Sequence, residues 1–270
     1  MSVGWRNEMI IDFQINQGSG PWSLIEESVC AAEEAGFDTL WNLDHFSGEM
    51  FQAPTMPECF TTLTAWAHLV PTIKLGTLVT NINNRHPGLL ANIVSTLQEV
   101  SGGRLTLGIG AGASPTSPWG GEQRALGIEM LPTMRERHQK LLESVEVMRS
   151  VWAQDRHENF QGFPRPVVTP RIIAGTNSVA LARIAGEHLD GVNTRWNHPE
   201  RRDILDAARE ASNGRKDLDV SVWAPFVPEY ADPENGVYQE LLAEGVTRLV
   251  LFEDGRPDPQ KIAAMSRYLS

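Results

Sequence analysis

Two neighbouring side chains, Asp44 and His45, offer the most direct chemistry in this 270-residue chain. An imidazole gives or takes a proton near neutrality, and a carboxylate beside it can orient it. The same pair also serves structural ends, the aspartate capping a turn and the histidine satisfying a backbone group. The dipeptide alone does not choose between these uses. A second candidate is the run Gly108-Ile109-Gly110-Ala111-Gly112-Ala113, which satisfies the G-x-G-x-x-G/A pattern of dinucleotide-binding turns. That pattern needs a strand before it and a helix opening at its last small residue. Leu105, Leu107 and Ile109 supply the strand alternation, but Pro115, Pro118, Gly120 and Gly121 stand where the helix would be. A glycine-ended strand running into a loop instead lets a ligand approach bare backbone. The third candidate is Gly175-Thr176-Asn177-Ser178, with hydroxyl, amide and N–H donors at a helix start. Such a segment makes a phosphate site or, equally, an ordinary N-cap provided by Asn177.

Other residue types narrow the chemistry. No HExxH, CxxC, P-loop lysine or G-x-S-x-G pattern occurs, so nothing supports metal hydrolysis, NTP hydrolysis or a serine esterase, and no metal is expected. His138 shares the spacing of Met134, Leu141, Val145, Met148 and Trp152, which reads as the apolar stripe of one helix. His86 and His198 each precede a proline and read as turn residues. Cys30 and Cys59 have no metal-ligand spacing and read as free thiols. A net charge of −11 argues against nucleic acid and anionic membrane as partners. The first residues, MSVGWRNEMIID, lack the basic and apolar regions of a leader, and no apolar stretch has membrane-spanning length; the expectation is a reduced, cytoplasmic protein.

These candidates must be held by regular elements. Apolar runs at 9–15, 39–43, 74–80, 104–109, 171–174, 191–194, 219–224 and 247–252 read as eight strands separated by helical patterns. Ser23 and Glu26 have capping-box spacing before a helix that Gly36 closes, Pro87 suits a first turn, and Pro132 precedes a long helix. Eight alternations predict an α/β fold, the (β/α)8 TIM barrel, with a doubly wound open sheet as the alternative. In a barrel, Asp44-His45, Asn81, 110–112 and 175–178 all fall at the strands' C-terminal ends, where barrel active sites are built. Two proline-rich interruptions, 46–71 and 153–170, are long enough to be functional loops or lids.

Together these segments resemble the bacterial luciferase-like monooxygenase superfamily, and within it the branch that uses the deazaflavin coenzyme F420. The residues carrying the likeness are GFDTLWNLDHF (36–46), KLGTLVTNINNRHPGLLANIVSTLQEVSGGRLTLGIGAG (74–112) and EQRALGIEMLPTMRERHQKLLESVEVMRSVW (122–152). PRIIAGTNSVALARIAGEHLDGVNT (170–194) and, more weakly, EGVTRLVLFEDGRPDP (244–259) extend it. The resemblance implies a single luciferase-like (β/α)8 barrel domain over 1–270 that transfers a hydride between F420 and a small organic substrate. It places the ring beside Leu78, Val79, Thr80, Asn81, Gly110, Ala111 and Gly112, with a non-proline cis peptide between Leu78 and Val79. The cofactor phosphate falls at Gly175, Thr176, Asn177 and Ser178. His45 becomes the proton donor or acceptor, and Asp44 orients it or contacts the cofactor. Trp41, Phe46, Phe51, Met56 and Trp119 are candidates for an apolar substrate cavity, though each also suits core packing. Sugar-phosphate dehydrogenases of the branch carry glutamate where this chain has Ala113, and Glu122 lies too far along a proline-containing loop to be taken as its equivalent. The alternatives are an FMN-dependent monooxygenase on the same barrel and a cofactor-binding carrier or inactive subunit. Homodimers are common in the family.

Overall fold

The structure is a computed structural model and describes residues 8–269; residues 1–7, part of the stretch read for a leader, lie outside the described residues. Eight parallel strands close into a barrel: β1 (Ile10–Ile15), β2 (Thr39–Asn42), β3 (Lys74–Asn81), β4 (Leu105–Gly110), β5 (Arg171–Gly175), β6 (Gly191–Arg195), β7 (Asp219–Pro225) and β8 (Arg248–Glu253). Each pairs with the next, and β8 returns to β1. The helices are α1 (Trp22–Ala35), α2 (Cys59–Leu69), α3 (Pro87–Ser101), α4 (Gly121–Ala125), α5 (Met134–Trp152), α6 (Val179–His188), α7 (Arg201–Ala211), α8 (Gly236–Ala243), α9 (Pro259–Ala263) and α10 (Ser266–Leu269). This is the TIM barrel, and every expected strand is present with its ends within one residue of the expectation. No helix among the described residues is long and apolar enough to cross a membrane.

Strand alternation creates two cores. Outward-facing Phe13, Ile15, Leu40, Leu75, Leu107 and Leu249 are fully buried under the helices. Burial of such a side chain contributes about 1.5–3 kcal/mol. Inward-facing Trp41, Leu78, Ile173 and Val250 form a separate apolar cluster inside the barrel, with Val79 and Trp223 packed on it. Residue 76 must be glycine for this packing, because a Cβ there would come within 2.3 Å of the Trp41 ring.

Below this cluster, Arg248 donates to both oxygens of fully buried Asp12, at 2.9 and 2.7 Å, and also to Asp38 and Thr39. Burial pushes the Asp12 carboxyl up to about 6 against the opposing pull of Arg248. Burial acts the same way on half-exposed Asp38, but Arg248 and the hydrogen bonds from Arg248, Lys74 and Thr39 outweigh it and hold that group at about 2.

Three local expectations change. Ser23 forms no capping box, because α1 already begins at Trp22, behind Pro21. The capping box that does form joins Thr133 and Glu136 at the start of α5, one residue after Pro132. The segment 153–170 connects a helix to the start of β5, so it lies at the strands' N-terminal end, away from the barrel's active-site face. There the Val168 carbonyl accepts from Gln98 and its side chain touches Gly103, so the segment does not cover the active-site face.

Candidate active site

A cavity of about 540 Å³ opens at the strands' C-terminal ends. His45, three residues past the last paired position of β2, lies on its wall and is half-buried. Its Nδ1 is 2.9 Å from Glu122 Oε1. The other Glu122 oxygen accepts from the N–H groups of Phe46 (2.7 Å) and Ser47 (3.0 Å), and Gln123 donates to Oε1 at 3.1 Å. Burial raises the Glu122 carboxyl, but the His45 bond and charge and the two N–H groups outweigh it and hold it below the ordinary carboxylate range. An ionised Glu122 accepts from Nδ1–H, which leaves Nε2 as the free nitrogen of the neutral ring.

Asp44 is not the partner of His45. Arg85 grips it with two bonds of 2.8 Å, and Asn81 N–H and Asn84 add two more. Arg85 also reaches Glu58 at the start of α2. Asp44 therefore anchors the β2 and β3 loops to each other. The insertion after β2 carries Phe51 on a short 3-10 turn, with its ring centroid 4.9 Å from that of His45 and 6.2 Å from that of Trp119.

The β3 end bulges at Leu78–Val79, whose peptide is cis, and the pairing with β4 shifts between Thr77 and Thr80. Gln14 of β1 donates to the Leu78 carbonyl across the barrel at 2.6 Å. The glycines of β4 and β5 fit this bulge. A Cβ at Gly108 would lie 2.0 Å from the Thr77 carbonyl oxygen, and one at Gly110 or Gly175 would meet the Val79 side chain at 2.8 or 2.6 Å. Gly112 has φ +75°, and its Cβ would meet the Asn83 amide at 2.1 Å. The glycine run thus makes room for β3 as well as leaving low walls at Gly110, Ala111 and Gly112. Leu78, Val79 and Asn81 line the cavity, whereas Thr80 does not; it is buried, with its hydroxyl on Thr77.

Gly175, Thr176, Asn177 and Ser178 form the neighbouring wall. Ser178, not Asn177, caps α6, its hydroxyl accepting from Leu181 N–H, while Thr176 accepts from Ser178 N–H. The N–H groups of Asn177, Val179 and Ala180 find no acceptor among the described residues.

Among the aromatic and sulfur candidates, Phe51 and Trp119 line the cavity. Trp41 belongs to the interior cluster, Phe46 is exposed with its N–H on Glu122, and half-buried Met56 is off the wall. Residues missed from sequence include Glu122, Gln14, Asn193, Arg195, Trp223, Phe252, Arg137 and His138. Several stand at inward-facing strand ends, the signal that strand register would have provided once β1, β6, β7 and β8 were placed. His138, read as a stripe residue, reaches the wall at the start of α5; burial and then the Arg137 charge hold its imidazole below the usual range.

Known proteins share this architecture. The chain is 29% identical over 224 residues to a 5,10-methylenetetrahydromethanopterin reductase of Methanolobus tindarius, covering 77% of this chain and 62% of that protein. It is 31% identical over 186 residues to an F420-dependent glucose-6-phosphate dehydrogenase of Nakamurella multipartita, covering 65% of this chain and 52% of the relative. The match thus spans only about half to three fifths of these relatives' own length. The structure of an F420-dependent secondary alcohol dehydrogenase in complex with an F420-acetone adduct superposes with a TM-score of 0.76 at 18% identity, over 97% of this chain and 99% of that one. The family model for luciferase-like monooxygenases matches residues 9–258, from β1 past β8 and so around the whole barrel. On that match the chain belongs to the luciferase-like monooxygenase family.

Proposed function

We propose that the protein is an oxidoreductase that transfers a hydride between coenzyme F420 and a small organic substrate. The observation that carries the reading is the convergence, on one cavity, of a carboxylate-held imidazole, a low glycine wall and a cluster of free N–H donors. Relatives acting with F420 support it.

The wall fits such a cofactor. Leu78, Val79, Asn81, Gly110, Ala111 and Gly112 offer a surface without long side chains except at the bulge. Behind Gly112, both polar atoms of the Asn83 amide are buried without a partner. Gly175, Thr176, Asn177 and Ser178 seat the phosphate against the free N–H groups of Asn177, Val179 and Ala180, with Arg137 on the adjoining α5. When bound, the deazaflavin supplies the carbon that gives or takes the hydride. His45 holds or moves the accompanying proton at Nε2. Glu122 orients the ring through Nδ1, and Phe51 and Trp119 help to exclude water.

Titration of the apo protein with F420 and, separately, with FMN tests the assignment by cofactor fluorescence. Tighter binding of F420, with reduced cofactor stable to oxygen but consumed by an organic acceptor, is the expected result. Preference for FMN, with rapid oxygen uptake after reduction, would replace the proposal by a flavin monooxygenase, consistent with the family's description. Tight F420 binding without turnover of any acceptor would make the chain a carrier.

A further inference from the structure

Across the barrel from the β3–β5 wall, the cavity has a different lining. Trp223 of β7 and Phe252 of β8 meet edge to face, with centroids 5.8 Å apart and planes at 84°. Over Trp223 lies the Arg195 guanidinium, at the end of β6, 5.9 Å from the ring centroid. Arg195 is exposed, and its guanidinium makes no hydrogen bond or ion pair among the described residues. The carboxylates on the cavity wall are already engaged: Asp44 by Arg85, and Glu122 by His45 and two N–H groups. The guanidinium therefore stands beside an aromatic slot with its donor fork unused.

We infer that Arg195, Trp223 and Phe252 form an anion subsite, and that the substrate is an apolar, ring-sized molecule bearing a carboxylate. The inference rests on the proposed function for what reacts, but not for what binds. A planar fork matches a carboxylate with two parallel bonds, and stacking on Trp223 limits the rotamer freedom that binding must remove. The apolar body lies against Trp223 and Phe252, a platform that rewards a flat hydrophobic surface. The cofactor's own anionic group is expected elsewhere, because the free N–H cluster lies after β5 and Arg195 leans toward β7.

The test compares 2-naphthoate with its uncharged counterpart 2-naphthamide by calorimetry on the F420-loaded protein. The naphthoate is expected to bind at least about tenfold more tightly, the scale of a charge-assisted bidentate pair. Arg195→Gln should erase that preference, Arg195→Lys should keep part of it, and neither should change F420 affinity. Equal affinity for the two probes, or a preference that survives Arg195→Gln, would overturn the subsite. So would loss of F420 binding in Arg195→Gln, which would assign the guanidinium to the cofactor. If the parent protein binds no F420, the cofactor reading fails alone. The naphthoate preference is then measured on the free protein, where its presence supports the subsite and its absence removes it.

Discussion

The carboxylate that holds His45 comes from 77 residues further along the chain, while the one beside it in sequence faces Arg85. Consecutive side chains on extended backbone point apart, so adjacency at a strand end works against direct pairing. Glu122 could not be read from the sequence because its position depends on a short turn and α4 folding back over the β2 loop. His45 itself was legible, since a strand-end imidazole in a barrel needs only the strand count to be placed. Two outcomes follow. His45→Ala should lower turnover by about 10²–10⁴-fold, the usual worth of general acid–base help, with little change in cofactor affinity. Equal loss of both in rapid-kinetic and binding measurements would make His45 a cofactor clamp. Glu122→Gln removes the charge but keeps the shape, and should slow turnover while releasing His45 from its fixed tautomer. Ring ¹⁵N signals of His45 report that release directly, and an unchanged nitrogen pattern would show that Glu122 does not orient the ring.

At the scale of elements, the β3 bulge and the glycines of β4 and β5 form one packing unit. Gly110→Ala places a methyl 2.8 Å from Val79 Cγ2, and Gly175→Ala places one 2.6 Å from Cγ1. Overfilling of this kind costs about 1–3 kcal/mol, so Gly110→Ala should lower the denaturant midpoint. Adding Val79→Ala to that variant should recover part of the loss; a double variant no better than the sum of the singles would mean the two positions do not press on each other. The eight strands were legible because buried parallel strands leave compact apolar runs between helical stripes. Purposes of individual glycines were not, since a run compatible with ligand approach is equally compatible with a neighbouring strand that bulges. Helix ends were half legible: Pro87 opens α3 and Gly36 closes α1, but a capping-box spacing at Ser23 lost to a start two residues earlier.

Over the whole molecule, charge is sorted by barrel depth. Arg248, Asp12 and Asp38 lie near one end, the imidazole and its carboxylate at the other, with Trp41, Leu78, Ile173 and Val250 between. Arg248→Met leaves Asp12 buried without its partner and should cost about 3–5 kcal/mol near pH 8. The sign of the pH dependence follows from Asp12, whose folded value of about 6 lies above the unfolded one of 3.8. A raised carboxyl favours the folded state at low pH, and that advantage is lost as pH rises through the folded value. Removing Arg248 raises the group further, so the deficit in urea unfolding should shrink between about pH 8 and pH 5. A deficit independent of pH would show that removing Arg248 leaves the ionisation of Asp12 unchanged. The interior cluster has another consequence. A second cavity, at the Arg248 end of the barrel, shares no lining residue with the active-site cavity, so nothing bound in the latter leaves through the former. Two molecules bound there at different depths share the way in at the strands' C-terminal ends. The inner one enters first and leaves last, so steady-state inhibition patterns should display an ordered, not random, sequence of arrivals and departures.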